Sequence, residues 1–163
     1  SEGLIKELSK CLDLFLAKSK GIILSDYDKG LLTEEITQTI IKKANRQGLP
    51  IFVDPKGKSF KKYKNANLIT PNEKELSAAS NIEINSEETL NQAVEYLYQQ
   101  TLIQYILVTR GPKGMTLFEK GLRTIDMPTQ AREVYDVTGA GDTVISIMAA
   151  LLSQNLPIDK AMH

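Results

Sequence analysis

The sequence predicts an α/β domain in which helices cover both faces of a mostly parallel β-sheet. Four short apolar segments along the chain have the length and composition of buried strands. Segments with apolar residues at helical spacing separate these strands, and such an alternation produces right-handed crossovers between parallel strands. The length of 163 residues suits one domain with a core of its own.

The first elements are a helix and a strand. Apolar residues recur at helical spacing up to about Lys18, at Leu4, Leu8, Leu12 and Phe15. Cys11 lies on the same side of this helix, and we expect it to be a core residue rather than a nucleophile. The apolar run at residues 21–24 then predicts the first buried strand.

The second helix has clear signals at both ends. Thr33 is a suitable N-cap, and Glu34 and Glu35 follow it where the helix dipole favours acidic side chains. Gly48, shortly before Pro50, closes the helix. Its buried stripe comprises Ile36, Ile40, Ile41 and Ala44.

The remaining elements continue the alternation. Further buried strands are predicted at residues 51–53, 67–70 and 105–109. A short helix after Asn72 and a longer one over residues 86–100 lie between the last two of these strands. Residues 115–118 and 122–127 flank Gly121 and predict a β-hairpin, and a last helix is predicted from about residue 141 to 152.

Composition argues against several classes of protein. Twenty basic and 20 acidic residues give a net charge of zero, which does not suit a broadly basic nucleic-acid binder. One cysteine excludes an internal disulfide, and one histidine, His163, argues against a Ser-His-Asp triad or a histidine metal cage. Any acid–base chemistry is therefore expected to use carboxylates. We see no signal peptide and no apolar run long enough for a bilayer, and expect a cytoplasmic protein without a membrane partner.

Ligands of parallel α/β sheets bind at the carboxyl ends of the strands. The loops predicted at this edge are residues 26–30, 54–57, 70–75 and 109–114. In the first of them, Asp26, Tyr27 and Lys29 could form a solvated loop, or Lys29 could face an anionic substrate.

The most informative motif, Asp136-Val-Thr-Gly-Ala-Gly-Asp142, opens the last predicted helix. Its glycines let a ligand approach the backbone, and free N–H groups at a helix start bind anions such as phosphate. Asp142 would repel a phosphate, but it has a role if it takes the proton from a hydroxyl that attacks the phosphate. The alternative is a glycine-rich turn in which Asp142 interacts only with the helix dipole.

Two further segments have structural interpretations beside functional ones. Asn72 could be only an N-cap, with Glu75 at the third position of the helix. A lysine-rich run, Lys56, Lys58, Lys61, Lys62 and Lys64 with Phe60 and Tyr63 between them, has the composition of a nucleic-acid patch. In a neutral chain we favour a solvated loop, or one that attracts phosphorylated substrates. No P-loop and no Gly-x-Gly-x-x-Gly motif occurs.

Three motifs together resemble the ribokinase-like (PfkB) sugar kinases. They are Asn72-Glu-Lys-Glu75, Thr109-Arg-Gly-Pro-Lys-Gly114 and the segment 136–142, and they occur in the family's order. Segments 24–31, 53–57, 68–72 and 127–136 are similar in more detail to the kinase domain of bacterial heptose 7-phosphate kinase, commonly fused to an adenylyltransferase. Arg110 and Val137 replace residues commoner in the wider family, as the heptose kinases also do.

The resemblance implies a three-layer α/β/α ribokinase-like fold over residues 1–163, with the N- and C-terminal parts of the family domain missing. The implied reaction is ATP-dependent phosphorylation of D-glycero-β-D-manno-heptose 7-phosphate in ADP-heptose and lipopolysaccharide synthesis of Gram-negative bacteria. Another ribokinase-like kinase, of fructokinase or phosphofructokinase type, and a non-catalytic nucleotide- or partner-binding module are the alternatives. The isolated chain is expected to be weakly active or inactive, and a homodimer is possible.

The resemblance also assigns a ligand to individual residues. Asp142 would be the catalytic base, and the anion hole would comprise Gly139, Ala140 and Gly141. The ATP phosphates would lie along Thr109, Gly111 and Gly114. Mg²⁺ would be ordered through water by Asn72 and Glu75, and a monovalent cation such as K⁺ by Asp136 and Thr138. The sugar phosphate would contact Asp26 and Lys29.

Overall fold

The structure, a computed structural model, describes residues 11–128 and 145–146. Within these ranges six strands form one sheet, in the order β1 (Ile22–Ser25), β2 (Ile51–Asp54), β3 (Leu68–Ile69), β4 (Tyr105–Thr109), β5 (Met115–Glu119) and β6 (Leu122–Met127). Strands β1 to β4 are parallel, whereas β5 is antiparallel to β4 and β6 is antiparallel to β5. The predicted mostly parallel sheet and the hairpin are confirmed.

Three helices are described in full: α1 (Glu34–Arg46), α2 (Glu73–Ser80) and α3 (Glu87–Thr101). Each begins after a polar cap, as predicted for Thr33 and Asn72, because the caps accept backbone N–H groups that have no partner within the first turn. The Thr33 hydroxyl accepts from the Ile36 N–H at 3.3 Å, and Ser86 accepts from the Thr89 N–H at 3.2 Å. Gly48, just beyond α1, has a φ of 68°, in the left-handed region that glycine favours.

All three helices pack on one face of the sheet. Their buried side chains join strand residues such as Ile51 and Val53 in the larger core cluster. Phe52, between those two, points to the opposite face, where it packs with Leu68, Leu107, Leu117 and Ile145. Successive right-handed crossovers that advance in one direction along a sheet put every helix on the same face. Residues 145 and 146 are helical and lie within the last predicted helix. Ile145 therefore places part of that helix on this opposite face.

The buried stripe predicted for the first helix is partly wrong. Residues 11–16 are helical, but Cys11 is exposed and Phe15 is 72% exposed. Leu16 is buried instead, and Leu12, one turn before it, packs against the core. Phe15 lies about 100° around the helix from Leu16, so the two cannot both face the sheet squarely. Leu4 and Leu8 lie outside the described residues.

The aromatic residues of the lysine-rich run belong to the core. Phe60 and Tyr63 are fully buried, and their ring centroids lie 5.9 Å apart. Buried rings cannot stack on bases, and stacking is what aromatic residues contribute to a nucleic-acid surface. Phe60 and Tyr63 are therefore part of the core and cannot act as a stacking surface.

Two surface features complete the described part of the fold. Lys120 and Gly121 turn the hairpin with φ values of 49° and 80°, the paired positive angles of a type I′ turn. At the other edge, Ile23 of β1 is partly exposed, and within the described residues β1 pairs with β2 alone. No helix in this part of the chain is long and apolar enough to cross a membrane.

Candidate active site

The four parallel strands end at one edge of the sheet and bring the four predicted loops together there. The two loops that carry kinase-like motifs touch directly. Asn72 forms a parallel β-bridge with Thr109, and the Thr109 N–H donates to the Pro71 carbonyl at 3.0 Å. Residues 37 positions apart in the sequence are therefore neighbours in the candidate site.

The loop after β4 closes on itself through its own backbone. The Arg110 N–H donates to the Gly114 carbonyl at 2.8 Å, and the Gly114 N–H donates to the Gly111 carbonyl at 2.9 Å. Gly111 has a φ of 57° and Gly114 a φ of 87° with a ψ of −131°. The second conformation is essentially restricted to glycine, so the shape of this loop requires glycine at position 114 and favours it at position 111.

Asn72 and Glu75 form a capping box at the start of α2. The Asn72 side-chain oxygen accepts from the Glu75 N–H at 2.8 Å, and Glu75 Oε2 accepts from the Asn72 N–H at 2.9 Å. Glu75 Oε1 is paired with the Lys56 ammonium from the loop after β2. The structural interpretation of this motif is thus confirmed, and the metal role stays a prediction.

The same two side chains suit Mg²⁺ held through water. Carboxylate and amide oxygens are hard donors, and protein-bound Mg²⁺ commonly keeps several waters beside one or two carboxylates and substrate phosphates. Each oxygen of the capping box retains a second lone pair for a water. The described residues contain no group of three metal-ligating His, Cys, Asp or Glu side chains, so they do not form an all-protein metal cage.

Asp26, a predicted substrate residue, is buried beneath the loops after β1 and β2. Its carboxylate accepts from the Tyr63 hydroxyl at 2.6 Å and from the Asp28 N–H at 2.8 Å, and it pairs with the Lys62 ammonium at 2.6 Å. Burial pushes the pKa of Asp26 up, but the hydrogen bonds from Lys62 and Tyr63 outweigh it and leave the pKa below its ordinary value. We call Asp26, Lys62 and Tyr63 the Asp26 cluster.

The other predicted site residues divide into two groups. Lys29 and Tyr27 are exposed at the tip of the loop after β1, where Lys29 is accessible to a ligand. The remaining predictions lie outside the described residues: Asp136, Thr138, Gly139, Ala140, Gly141 and Asp142.

A network of charges around Arg110 was not expected from the sequence. Arg110 Nε donates to Glu73 at 2.8 Å, and its two terminal nitrogens donate to both oxygens of Glu87 at 3.2 and 2.5 Å. Arg123 of β6 donates to the same Glu87 and to Asp126. We call these five residues the Arg110 network. The sequence does place acidic residues in the first turns of α2 and α3. Acidic residues at these positions also interact favourably with the helix dipole, so the pattern did not indicate an arginine partner.

The network shifts the pKa values of several of its members in the direction that favours their charged forms. Hydrogen bonds from Arg110 and then Arg123 lower the pKa of Glu87 from about 4.5 to about 2, against a small opposing effect of burial. The hydrogen bond to Glu87 in turn raises the pKa of Arg110. Arg123 similarly lowers the pKa of Asp126. These shifts favour the charged forms of Glu87, Asp126 and the arginines at neutral pH.

The described sheet, four parallel strands continued by an antiparallel hairpin, belongs to a ribokinase-like α/β fold. Arabidopsis thaliana ribokinase, determined with ribose and ATP, superposes with a TM-score of 0.78 at 23% identity, covering 94% of this chain and 49% of that one. The chain belongs to the pfkB family of carbohydrate kinases, whose family model matches residues 8–163.

Curated relatives share much more sequence with the chain. The bifunctional protein HldE of Syntrophotalea carbinolica is 45% identical over 140 residues, which is 86% of this chain and 29% of that protein. The HldE of Aliarcobacter butzleri is 45% identical over 157 residues, 96% of this chain and 33% of that protein. The chain thus spans about a third or less of the length of these relatives.

Proposed function

We propose that this chain is part of an ATP-dependent sugar kinase that phosphorylates O1 of D-glycero-β-D-manno-heptose 7-phosphate to give the 1,7-bisphosphate. The observation that carries the kinase proposal is the direct contact between Asn72 and Thr109, which joins two phosphate-handling motifs at one edge of the sheet. The heptose assignment is supported by the identity with proteins named HldE.

The nucleotide side of the reaction is assigned to the loop after β4. Thr109, Gly111 and Gly114 lie along the ATP phosphates, where the two glycines have no side chain to keep a phosphate away from the backbone. Asn72 and Glu75 would hold Mg²⁺ through water, and the ion would supply positive charge to balance that of the phosphates. Asp136 and Thr138 hold a monovalent cation such as K⁺.

The acceptor side is assigned to the motif at 136–142. The Asp142 carboxylate takes the proton from the sugar O1 hydroxyl as that oxygen attacks the γ-phosphorus of ATP. The bond from the γ-phosphorus to the bridging oxygen of ADP breaks, and the backbone N–H groups of Gly139, Ala140 and Gly141 stabilise the charge on the transferred group. Lys29, exposed at the neighbouring loop, attracts the sugar phosphate.

The test is ATP consumption by the full-length protein over a panel of sugar phosphates, with Asp142→Asn beside the wild type. We expect turnover with heptose 7-phosphate and a loss of at least about 100-fold in kcat for the variant, since general-base catalysis contributes about that much. Glu83→Gln, an equivalent change at an exposed acid between α2 and α3, is the matched control.

Other results would redirect the proposal. Turnover confined to fructose or fructose phosphate would keep the mechanism and reject the heptose assignment. Near-normal turnover by Asp142→Asn would reject the assigned base. Absence of turnover with every sugar, together with nucleotide binding, would favour a non-catalytic module.

A further inference from the structure

Arg110 lies between two residues of the candidate phosphate loop but is turned away from solvent. Its neighbours Thr109 and Gly111 are both assigned to the ATP phosphates, and its side chain is only 5% exposed. An arginine in a phosphate loop would ordinarily be assigned to the phosphates themselves. The burial of this side chain favours a different role.

At least four of the five N–H donors of the guanidinium already have protein partners. Its Nε and both terminal nitrogens donate to the carboxylates of Glu73 and Glu87, and one terminal nitrogen also donates to the Thr116 hydroxyl at 3.2 Å. Two carboxylates balance its charge. Contact with a phosphate would require breaking these charge-assisted hydrogen bonds, so Arg110 is not placed to bind the nucleotide directly.

The partners of Arg110 belong to elements that border the site. Glu73 directly follows Asn72, the cap of α2 and a candidate Mg²⁺ residue, and Glu87 opens α3. Thr116 lies on β5 and donates to Asp126 of β6 at 2.9 Å. One side chain therefore ties the loop after β4 to the start of α2, the start of α3 and the hairpin.

We propose that Arg110 is a positioning residue, which holds the phosphate loop against the start of α2 so that both halves of the nucleotide site have their binding geometry before ATP arrives. This inference rests on the proposed kinase function. Its physical basis is preorganisation: without the guanidinium, the Asn72–Thr109 bridge remains but the side-chain link between the loop and the helix start is lost, and nucleotide binding must also order them.

The network offers a matched control within the same set of charges. Arg123 also donates to Glu87, but its other partner is Asp126, three residues along the same strand. Within the described residues, its hydrogen bonds go to Glu87 and Asp126 and reach neither the phosphate loop nor α2. Removing Arg123 therefore removes an arginine of equal charge from the network without releasing the loop.

The experiment compares Arg110→Met and Arg123→Met in the full-length protein. Binding of the non-hydrolysable analogue Mg²⁺–AMP-PNP is measured by calorimetry, and KM for ATP and kcat are measured with saturating sugar phosphate. We expect Arg110→Met to weaken analogue binding and raise KM by about tenfold, with kcat changed less than about threefold. Arg123→Met should change each quantity less than about twofold.

Three results would overturn the inference: unchanged analogue affinity in a folded Arg110→Met protein, an equal effect of Arg123→Met, or a fall in kcat at constant KM. If Arg110→Met does not fold, Glu73→Gln, which loosens only the link to α2, must still raise KM severalfold. The binding measurement separates the two proposals, because it can succeed in a protein that phosphorylates no sugar. A wild type that does not bind the analogue would overturn both.

Discussion

The Asp26 cluster and the Arg110 network border the same edge of the sheet, yet the carboxylates Asp26 and Glu87 at their centres differ in burial. Asp26 is 4% exposed and its partner Tyr63 is fully buried, whereas Glu87, shared by both arginines of the network, has a side chain that is 55% exposed. Both are built from carboxylates with cationic donors. The surrounding solvent, rather than the residue types, decides what each arrangement contributes.

Burial makes pairing obligatory in the Asp26 cluster. A carboxylate removed from water must be compensated, and loss of one partner of a buried pair leaves the other charge uncompensated at a cost of about 3–5 kcal/mol. Water can replace a lost partner of Glu87, and half-exposed pairs typically contribute about 0–1 kcal/mol. The first cluster should therefore affect global stability, and the second chiefly the geometry of the loop that it holds.

Asp26→Asn should have the largest effect on stability. The change keeps the size of the side chain but removes the charge that balances Lys62, and we expect the free energy of unfolding to fall by about 3 kcal/mol. Urea denaturation measures this loss. Asp28→Asn, a similar change at an exposed residue whose φ of 54° asparagine tolerates, should cost less than about 0.5 kcal/mol. Equal losses in the two variants would contradict the comparison.

Tyr63→Phe tests the same cluster by removing one oxygen atom. The ring stays in the core, but Asp26 loses a 2.6 Å hydrogen bond, and a hydrogen bond to a charged group contributes about 1.5–3 kcal/mol. We expect a loss of about 2 kcal/mol in urea denaturation.

Burial and the hydrogen bond to Asp26 raise the pKa of the Tyr63 phenol, so the wild-type tyrosine should also resist ionisation in an alkaline absorbance titration. If the wild type ionised one more tyrosine near pH 10 than Tyr63→Phe does, the Tyr63 phenol would be accessible.

The acid dependence of stability should show the smallest effect. Because Glu87 has a pKa lowered from about 4.5 to about 2, its contribution is present above pH 4.5 and is lost as the pH falls towards 2. Glu87→Gln should remove that part of the acid dependence, with a difference from wild type below about 1 kcal/mol at pH 7. Glu88→Gln, at the adjacent exposed acid, is the control. A wild-type and a Glu87→Gln protein with parallel stability profiles from pH 7 to 2.5 would exclude the arginine contacts in solution.

Local patterns were sufficient for the framework of the fold. The Thr33 cap, the strand at Tyr105–Thr109 and the Gly121 turn were predicted from signals that span only a few residues, and the structure has each of them. The capping interpretation of Asn72 and Glu75 is equally local, because cap and partner lie three residues apart. In contrast, Phe15 was assigned to the wrong side of its helix, since periodicity leaves the centre of an apolar stripe uncertain by about one position.

The sequence by itself determined which elements form, where they begin, and which loops meet at the carboxyl edge, because capping, side-chain alternation and parallel crossovers follow from nearby residues. Only the tertiary structure decided the environment of individual charges. Asp26 meets Tyr63, and Arg110 meets Glu73, each across 37 positions of sequence. Such partners are brought together by the packing of helices on the sheet, and the same packing excludes water from Asp26 and leaves Glu87 accessible to it.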